Sequence, residues 1–200
     1  MGKDFQSKTN RLGFFGGSFD PVHIGHITLA KQAIKQIKLD KLLLCPAFLA
    51  PLRTQNPFFS SDTRLELLEK VADEHSSIEI CSLEIEKQKV CYTYNTLCEI
   101  QKIYPTSEII VLLGADQFNQ LDKWKYHTQL AQTFQFCVFA RDSSQVLPPS
   151  IPSLSYKLMQ NKLINCSSTE IREKLKNGAS IKSLVPASVY SIISQKTISS

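Results

Sequence analysis

The chain has 200 residues, of which 42% are hydrophobic and 20% are charged, and it carries a net charge of +5. This composition is typical of one soluble globular domain, and it excludes a largely disordered chain and a membrane-embedded one. The positive charge would suit nucleic acid or a small polyphosphate ligand, but no single stripe of Lys and Arg stands out, so we expect no nucleic-acid partner.

Apolar runs and helical patterns alternate along the chain. A short apolar run predicts a strand, and apolar residues that recur every three or four positions predict a helix. In chain order we predict strand Leu12–Phe15, helix Gly25–Lys38, strand Lys41–Cys45, helix Thr63–Glu74, strand Ile78–Ile85, helix Tyr94–Ile103, strand Ile109–Leu113, helix Lys125–Gln132, strand Phe136–Phe139, loop Ser143–Pro152, strand Lys162–Cys166, helix Ser167–Asn177 and helix Pro186–Gln195.

This alternation predicts the fold class α/β. Strands that are apolar on both faces are typical of a parallel sheet covered by helices on both sides. We expect a single domain over 11–196 with a small helical part at its C-terminal end, preceded by an N-terminal extension, 1–10. Ligands of such sheets bind at the carboxyl ends of the strands, so the functional residues are expected directly after the strands.

The polar N-terminus and the cysteines exclude several other classes. The segment MGKDFQSKTN has no apolar core, so no secretory signal is predicted. The longest apolar run, Leu42–Leu52, is too short to span a bilayer. We therefore expect a cytoplasmic protein with no membrane partner. None of the six cysteines forms a CxxC pair, so reduced, buried thiols are expected rather than a zinc site or a disulfide framework.

A glycine pair follows the first predicted strand, within the segment GFFGGSFDPVHIGH. Gly16 and Gly17 let the backbone approach a phosphate with no Cβ in the way, and Ser18 can offer a hydroxyl. Pro21 then fixes a turn before the next helix, and we expect Asp20 to serve this turn rather than acid–base chemistry.

Two histidines open that helix. His23 and His26 are three residues apart and therefore share one helical face, above the positive end of the helix dipole. They can stabilise a polyphosphate whose charge grows during a reaction. They can also be ordinary helix residues or a metal pair, although no third ligand is evident nearby. The preceding strand and the Gly-Gly turn favour the functional interpretation.

A second phosphate-type segment, NCSSTEIREKL, lies near the C-terminal end. Ser167, Ser168 and Thr169 open a helix directly after a strand, where unpaired backbone N–H groups bind anions. Arg172 lies on the same face as Thr169 and can fork onto phosphate oxygens. A plain capping box, with Glu170 three residues after Ser167, is the alternative.

GGSFDPVHIGH resembles the signature of the nucleotidyltransferase superfamily with an HxGH motif, and CSSTEIR resembles its ISSTxIR motif. This resemblance implies a Rossmann-like, doubly wound parallel sheet with helices on both faces. It implies transfer of AMP or CMP from a nucleoside triphosphate to a phosphate group with release of pyrophosphate. Catalytic roles are implied for His23, His26 and Arg172. The ATP-binding residues would be Gly16, Gly17, Ser18, Phe19, His23, His26, Gly114, Asp116, Ser167, Ser168, Thr169 and Arg172.

Two further segments resemble nicotinate mononucleotide adenylyltransferases. LLGADQFNQLDKW is similar to their GxDxxxxLxxW segment, and CYTYNTL is similar to their SYTxxTL segment. The resemblance implies that Asp116 lies at the nucleotide cleft, that Trp124 stacks on the pyridine ring and that Thr93 lies near the nicotinate carboxylate. Core packing is the alternative for Trp124.

Other segments of the resemblance concern basic residues. VFARDSS resembles a strand that ends in RPG and implies a phosphate-side role for Arg141. APLRTQN stands where the family shows PPHK, so Arg53 keeps the charge while Leu52 replaces the imidazole. DTRLELL resembles the family's RLxML helix, with Arg64 in register. The implied acceptor-binding residues are Gly17, Ser18, Arg53, Tyr92, Thr93, Trp124, Lys125 and Arg141.

We therefore expect an enzyme that transfers AMP from ATP to nicotinate mononucleotide and gives deamido-NAD and pyrophosphate. Mg²⁺ is expected to bind through the ATP phosphates, with no dedicated metal site on the protein. Nicotinamide mononucleotide and phosphopantetheine are the alternative acceptors, and a nucleotide-binding module without catalysis is the alternative class. Retention of both histidines and Arg172 favours the enzyme. The sequence predicts no oligomeric state.

Overall fold

A computed structural model describes residues 10–51, 56–140, 145–160 and 164–198. Its strands are β1 (Arg11–Gly17), β2 (Lys41–Pro46), β3 (Ile78–Ile80), β4 (Glu108–Gly114), β5 (Gln135–Phe139) and β6 (Tyr156–Met159). Its helices are α1 (Ile24–Gln36), α2 (Ser61–Asp73), α3 (Leu83–Glu86), α4 (Thr93–Ile103), α5 (Ala115–Phe118), α6 (His127–Thr133), α7 (Ser168–Lys176) and α8 (Ala187–Ile198). A short 3₁₀ helix, Leu121–Lys123, lies between α5 and α6.

The six strands form one parallel sheet in the order β3-β2-β1-β4-β5-β6. The chain starts at the centre with β1, runs outward to β3, and then crosses to β4 on the other side of β1. The strand order therefore reverses between β1 and β4, and such a switch point opens a crevice at the carboxyl ends of the strands. The predicted α/β fold, a doubly wound parallel sheet, is confirmed.

Both faces of the sheet are buried because successive strand residues point to opposite sides. In β2, Leu42 and Leu44 join one apolar cluster, whereas Leu43 and Cys45 join the other. Helices α1, α2, α7 and α8 contribute to the first cluster, and α4, α5 and α6 contribute to the second. This double burial explains why the central strands are nearly continuous apolar runs.

Two strand predictions were wrong. The predicted strand Ile78–Ile85 ends at Ile80, and Leu83–Glu86 forms α3 instead. Leu83 and Ile85 alternate with acidic residues, and this imitates the period of a half-buried strand. The sixth strand is Tyr156–Met159 rather than Lys162–Cys166, of which the described part, 164–166, is not a strand. Three of its four residues are exposed at the sheet edge, so it carries little apolar signal.

The structure describes only Asn10 of the predicted N-terminal extension, 1–10. The carbonyl oxygen of Asn10 accepts a hydrogen bond from the N–H of Glu108 at 2.9 Å. No helix within the described ranges combines the length and the apolar character that a membrane span requires.

Candidate active site

A cleft of about 690 Å³ lies at the carboxyl ends of the central strands. It brings together two halves that the sequence predicted separately, a phosphate half and an acceptor half. The predicted residues that line it are Gly16, Gly17, Ser18, Phe19, His23, His26, Tyr92, Thr93, Gly114, Asp116, Trp124, Lys125, Ser167, Ser168 and Thr169. Arg53 and Arg141, also predicted here, lie outside the described residues.

His23 is the N-cap of α1, and its conformation follows from that position. Its backbone is extended, and its ring Nδ1 accepts the N–H of Gly25 at 3.1 Å. A ring nitrogen that accepts a hydrogen bond carries no proton, so in the neutral ring the proton lies on Nε2. His23 is therefore held as a donor through Nε2 at the wall of the cleft.

His26 is packed between aromatic rings. The ring centroids of His23 and His26 are 3.8 Å apart, and Phe19 lies 5.0 Å from His26 on an edge-to-face geometry. Phe15 lies 6.0 Å from the same ring. His23 and His26 are only 3% and 8% exposed. The histidine pair is thus rigidly oriented, which is the condition under which a donor stabilises transition-state charge. Phe19, predicted as ATP-binding, is a packing partner of His26 in this cleft wall.

Gly25 lies between the two histidines and leaves no room for a side chain. A Cβ at this position would lie 2.9 Å from Cε1 and Nδ1 of His23. Gly25→Ala should therefore displace the His23 ring, break its hydrogen bond to the helix and lower turnover by about tenfold to hundredfold. The midpoint of thermal unfolding should hold, since Ala favours a helix over Gly. Steady-state rates beside Lys31→Ala, an exposed change on α1, test this; unchanged turnover in Gly25→Ala would contradict it.

The second phosphate segment docks directly onto the first. Ser167 is the N-cap of α7 as predicted, and its hydroxyl accepts the N–H of Glu170 at 3.1 Å. Ser168 donates to the carbonyl oxygen of Pro21 at 3.0 Å, although 147 residues separate the two. The open N-terminus of α7 thereby faces the same cleft as the histidines, and backbone N–H groups in this position can bind an anion.

Arg172 lies beside the cleft rather than in its lining. Its Nη1 donates to the carbonyl oxygen of Asp20 at 2.8 Å, and its Nη2 donates to Oγ1 of Thr169 at 3.2 Å. Thr169 lines the cleft, so the Thr169 hydroxyl lies between the guanidinium and the space that a ligand would occupy. The Asp20 carboxylate accepts the N–H groups of Phe58 and Phe59, each at 2.8 Å, and its Oδ2 also lies 3.8 Å from Nη1 of Arg172. A structural rather than acid–base role of Asp20 agrees with these bonds.

Arg64 is a positioning residue whose role the sequence did not reveal. It is 1% exposed, and its Nη1 donates to the carbonyl oxygens of Ser18 at 2.8 Å and Ala47 at 2.6 Å. Its Nη2 donates to the carbonyl oxygen of Phe48 at 3.1 Å. One buried guanidinium thus joins the loops that follow β1 and β2. The resemblance to the RLxML helix was the only signal in the sequence. It identified the position of Arg64 but not the carbonyl oxygens to which Arg64 donates.

The acceptor half is built around the start of α4. Tyr92 is the N-cap and makes no side-chain capping bond, and Thr93 is the first helical residue. The Nζ atom of Lys125 lies 4.4 Å from the ring centroid of Tyr92 and 5.2 Å from that of Tyr126. Trp124 is half-buried, packs against the second apolar cluster and also lines the cleft.

Glu84 is a cleft residue that sequence reasoning missed. It is 7% exposed and accepts a hydrogen bond from the hydroxyl of Thr96 at 2.7 Å. Burial raises the pKa of its carboxyl group, and the Thr96 hydrogen bond and the charge of Lys87 only partly oppose this. Its carboxylate joins α3 to α4, behind the residues that open the acceptor half.

The raised pKa of Glu84 gives a stability prediction. A carboxyl group whose folded pKa is raised contributes stability below its unfolded pKa, and that contribution is lost as pH rises through the folded pKa. Glu84→Gln keeps the shape and an acceptor for Thr96. It should therefore raise the free energy of unfolding at about pH 8 and leave it nearly unchanged at about pH 4. Urea unfolding at both pH values measures this free energy. Thr96→Val removes the hydroxyl that donates to the Glu84 carboxylate, so it should lower the free energy of unfolding at about pH 8.

Known proteins resemble this chain in sequence over most of its length. The family model described as cytidylyltransferase-like matches residues 14–174. A probable nicotinate-nucleotide adenylyltransferase of Methylacidiphilum infernorum is 34% identical over 188 residues, covering 94% of this chain and 91% of the relative. A protein of the same description from Staphylococcus haemolyticus is 32% identical over 183 residues, covering 91% of this chain and 93% of the relative.

A solved structure agrees in fold. Nicotinic acid mononucleotide adenylyltransferase of Plasmodium falciparum, in complex with NaAD, superposes with a TM-score of 0.77 at 16% identity and covers 94% of this chain and 97% of that one. At this identity the likeness concerns the fold, and the sequence relatives carry the family assignment. The chain belongs to the cytidylyltransferase-like family and, within it, to the nicotinate-nucleotide adenylyltransferases, which are nucleotidyltransferase enzymes.

Proposed function

We propose that this enzyme transfers AMP from ATP to nicotinate mononucleotide and releases pyrophosphate, with deamido-NAD as the product. The observation that carries the proposal is the junction of both phosphate segments at one half of a cleft whose other half holds an aromatic and cationic pocket. A triphosphate and a flat-ring nucleotide can lie in this cleft together, with their reacting phosphates between the two halves.

In the proposed reaction an oxygen of the acceptor phosphate attacks the α-phosphorus of ATP. A new P–O bond forms there, the bond from the α-phosphorus to the bridging oxygen of the β-phosphate breaks, and pyrophosphate leaves. The acceptor phosphate is already ionised, so no general base is needed. Positioning and charge stabilisation then supply the catalysis. The Nε2–H of His23 and the ring of His26 would stabilise the charge that grows on the triphosphate oxygens.

The β- and γ-phosphates would bind at the N-terminus of α7, through the backbone N–H groups of Ser168 and Thr169 and the guanidinium of Arg172. Enzymes of this class generally use a divalent cation with ATP, and we propose Mg²⁺. Within the described residues no three His, Cys, Asp or Glu side chains lie together in a way that could hold a metal ion, so the cation would take its oxygens from the phosphates and water. When bound, the ion neutralises phosphate charge.

Charge around the acceptor half favours an acid over an amide. A carboxylate is stabilised near a helix N-terminus, and the uncapped start of α4 presents Thr93 there. Lys125 adds a full positive charge in the same half of the cleft. Trp124 can stack on the pyridine ring. An amide in the same place would gain hydrogen bonds but no charge interaction.

Pyrophosphate release by the purified protein tests the reaction and the acceptor. With ATP and Mg²⁺, we expect release with nicotinate mononucleotide to be at least about tenfold faster than with its amide, since one charge-assisted bond is worth about 1.5–3 kcal/mol. Phosphopantetheine should give none above background. Faster release with the amide would overturn the acceptor. ATP binding without release for any acceptor would overturn catalysis and favour a binding module.

A further inference from the structure

Two cysteines meet at the carboxyl ends of β2 and β3. Leu44 of β2 lies opposite Ile80 of β3, so the next residues, Cys45 and Cys81, continue the same register. The N–H of Cys81 donates to the carbonyl oxygen of Leu44 at 3.0 Å and fixes this alignment. Neighbouring strands lie about 4.8 Å apart, within the range of Cα separations that a disulfide can join.

The two thiols face the same side of the sheet. Both belong to the second apolar cluster, beside each other in the register of β2 and β3. Cys45 also lines the cleft, so a small molecule that enters the cleft reaches this thiol. All six cysteines are free thiols, but their in-register placement on neighbouring chain segments distinguishes Cys45 and Cys81.

The two sulfurs differ in their acidity. The interaction with Cys81 raises the pKa of Cys45, and burial raises it further. The interaction with Cys45 lowers the pKa of Cys81, although burial opposes this. The thiolate is the nucleophilic form of cysteine, so these directions favour Cys81 as the attacking sulfur and Cys45 as the resolving thiol.

We propose that Cys45 and Cys81 are a peroxide-sensitive dithiol that closes reversibly to a disulfide and thereby impairs the acceptor half of the cleft. The thiolate of Cys81 attacks one oxygen of hydrogen peroxide, the O–O bond breaks, and protonated hydroxide leaves as water. The sulfur of Cys45 then attacks the resulting sulfenic acid, an S–S bond forms, and a second water leaves. Both sulfurs are oxidised and the peroxide is reduced.

Closure of the disulfide must move the strand ends. The two sulfurs of neighbouring free thiols must approach to a bond of about 2.05 Å. Cys81 precedes α3, and α3 holds α4 through the bond from Thr96 to Glu84. Cys45 is held within the sheet opposite Gly16 of β1, so Cys81, which lies beyond the end of the edge strand β3, is the residue that moves. The displacement is therefore passed to Thr93 at the start of α4 rather than to the phosphate segments. We expect loss of acceptor use with ATP binding retained, a consequence that rests on the proposed function.

The first experiment does not depend on activity. The full-length reduced protein is treated with hydrogen peroxide and mapped by mass spectrometry without reduction. We expect one internal linkage between the peptides of Cys45 and Cys81. Cys81→Ser should abolish it, and Cys91→Ser, which removes another cleft thiol, should retain it. A folded protein in which peroxide gives no such linkage overturns the proposal, whatever reaction the enzyme catalyses.

The second experiment measures the consequence. Peroxide should lower pyrophosphate release by about tenfold at a limiting acceptor concentration, because small displacements of positioning residues have effects of this size. Dithiothreitol should restore the rate. Each variant is compared with its own untreated rate, and Cys81→Ser should resist peroxide while Cys91→Ser responds like the parent. Equal inactivation of Cys81→Ser overturns the switch, as does a linkage that leaves the acceptor KM unchanged.

Discussion

His26→Ala is expected to lower turnover by on the order of 10²–10³, the effect of removing one preorganised charge-stabilising donor. The imidazole is stacked at 3.8 Å on His23 and packed by Phe19, so no other side chain can swing into its place. The loss should be mainly in turnover, since the interaction strengthens as charge develops on the leaving phosphates. Single-turnover measurements at saturating ATP and acceptor separate the chemical step from product release.

His75→Ala provides the matched control. His75 is half-buried, just beyond α2 and outside the cleft, so its removal should leave turnover within about twofold, as for most changes away from a site. The double variant His23→Ala with His26→Ala should cost less than the sum of the single losses, because contacting residues act as a unit. Near-normal turnover of a folded His26→Ala protein would remove the proposed role.

Local signals explain what the sequence predicted well. Ser167 caps α7 through a bond to Glu170, only three residues away, and this needs no knowledge of the rest of the fold. The central strands are buried on both faces and so carry strong apolar runs. The exposed edge strand Tyr156–Met159 lacks that signal and was missed.

Contacts between distant segments explain what the sequence left out. The sequence placed Arg64 in register with the RLxML helix but gave no partner for it, because its three carbonyl acceptors lie in two loops that only the sheet brings together. Glu84 was assigned to a strand, and its burial became evident only with α3. Cys45 and Cys81 share no spacing motif, because strand register rather than sequence separation makes them neighbours.

Arg172→Ala is expected to lower kcat/KM for ATP by on the order of 10², the scale of removing a preorganised charge-assisted contact to phosphate. The guanidinium is held beside Thr169 by the bond from Nη1 to the Asp20 carbonyl oxygen. This bond can therefore remain in place while Nη2 contacts the ligand. Lys174→Ala on the same helix removes an equal charge whose partner is Glu170, and it should change kcat/KM by less than about twofold.

Arg172→Lys separates charge from geometry. A lysine keeps the positive charge but has no planar fork, so it cannot hold the Asp20 carbonyl and a phosphate in the same way. We expect an intermediate decrease in kcat/KM for ATP, about tenfold, caused by a higher KM for ATP. If Arg172 served only to tie α7 to the loop after β1, both variants would lower the thermal midpoint equally and raise the acceptor KM as much as the ATP KM. A rise in the KM for ATP alone, larger in Arg172→Ala than in Arg172→Lys, would instead indicate that the guanidinium contacts the triphosphate.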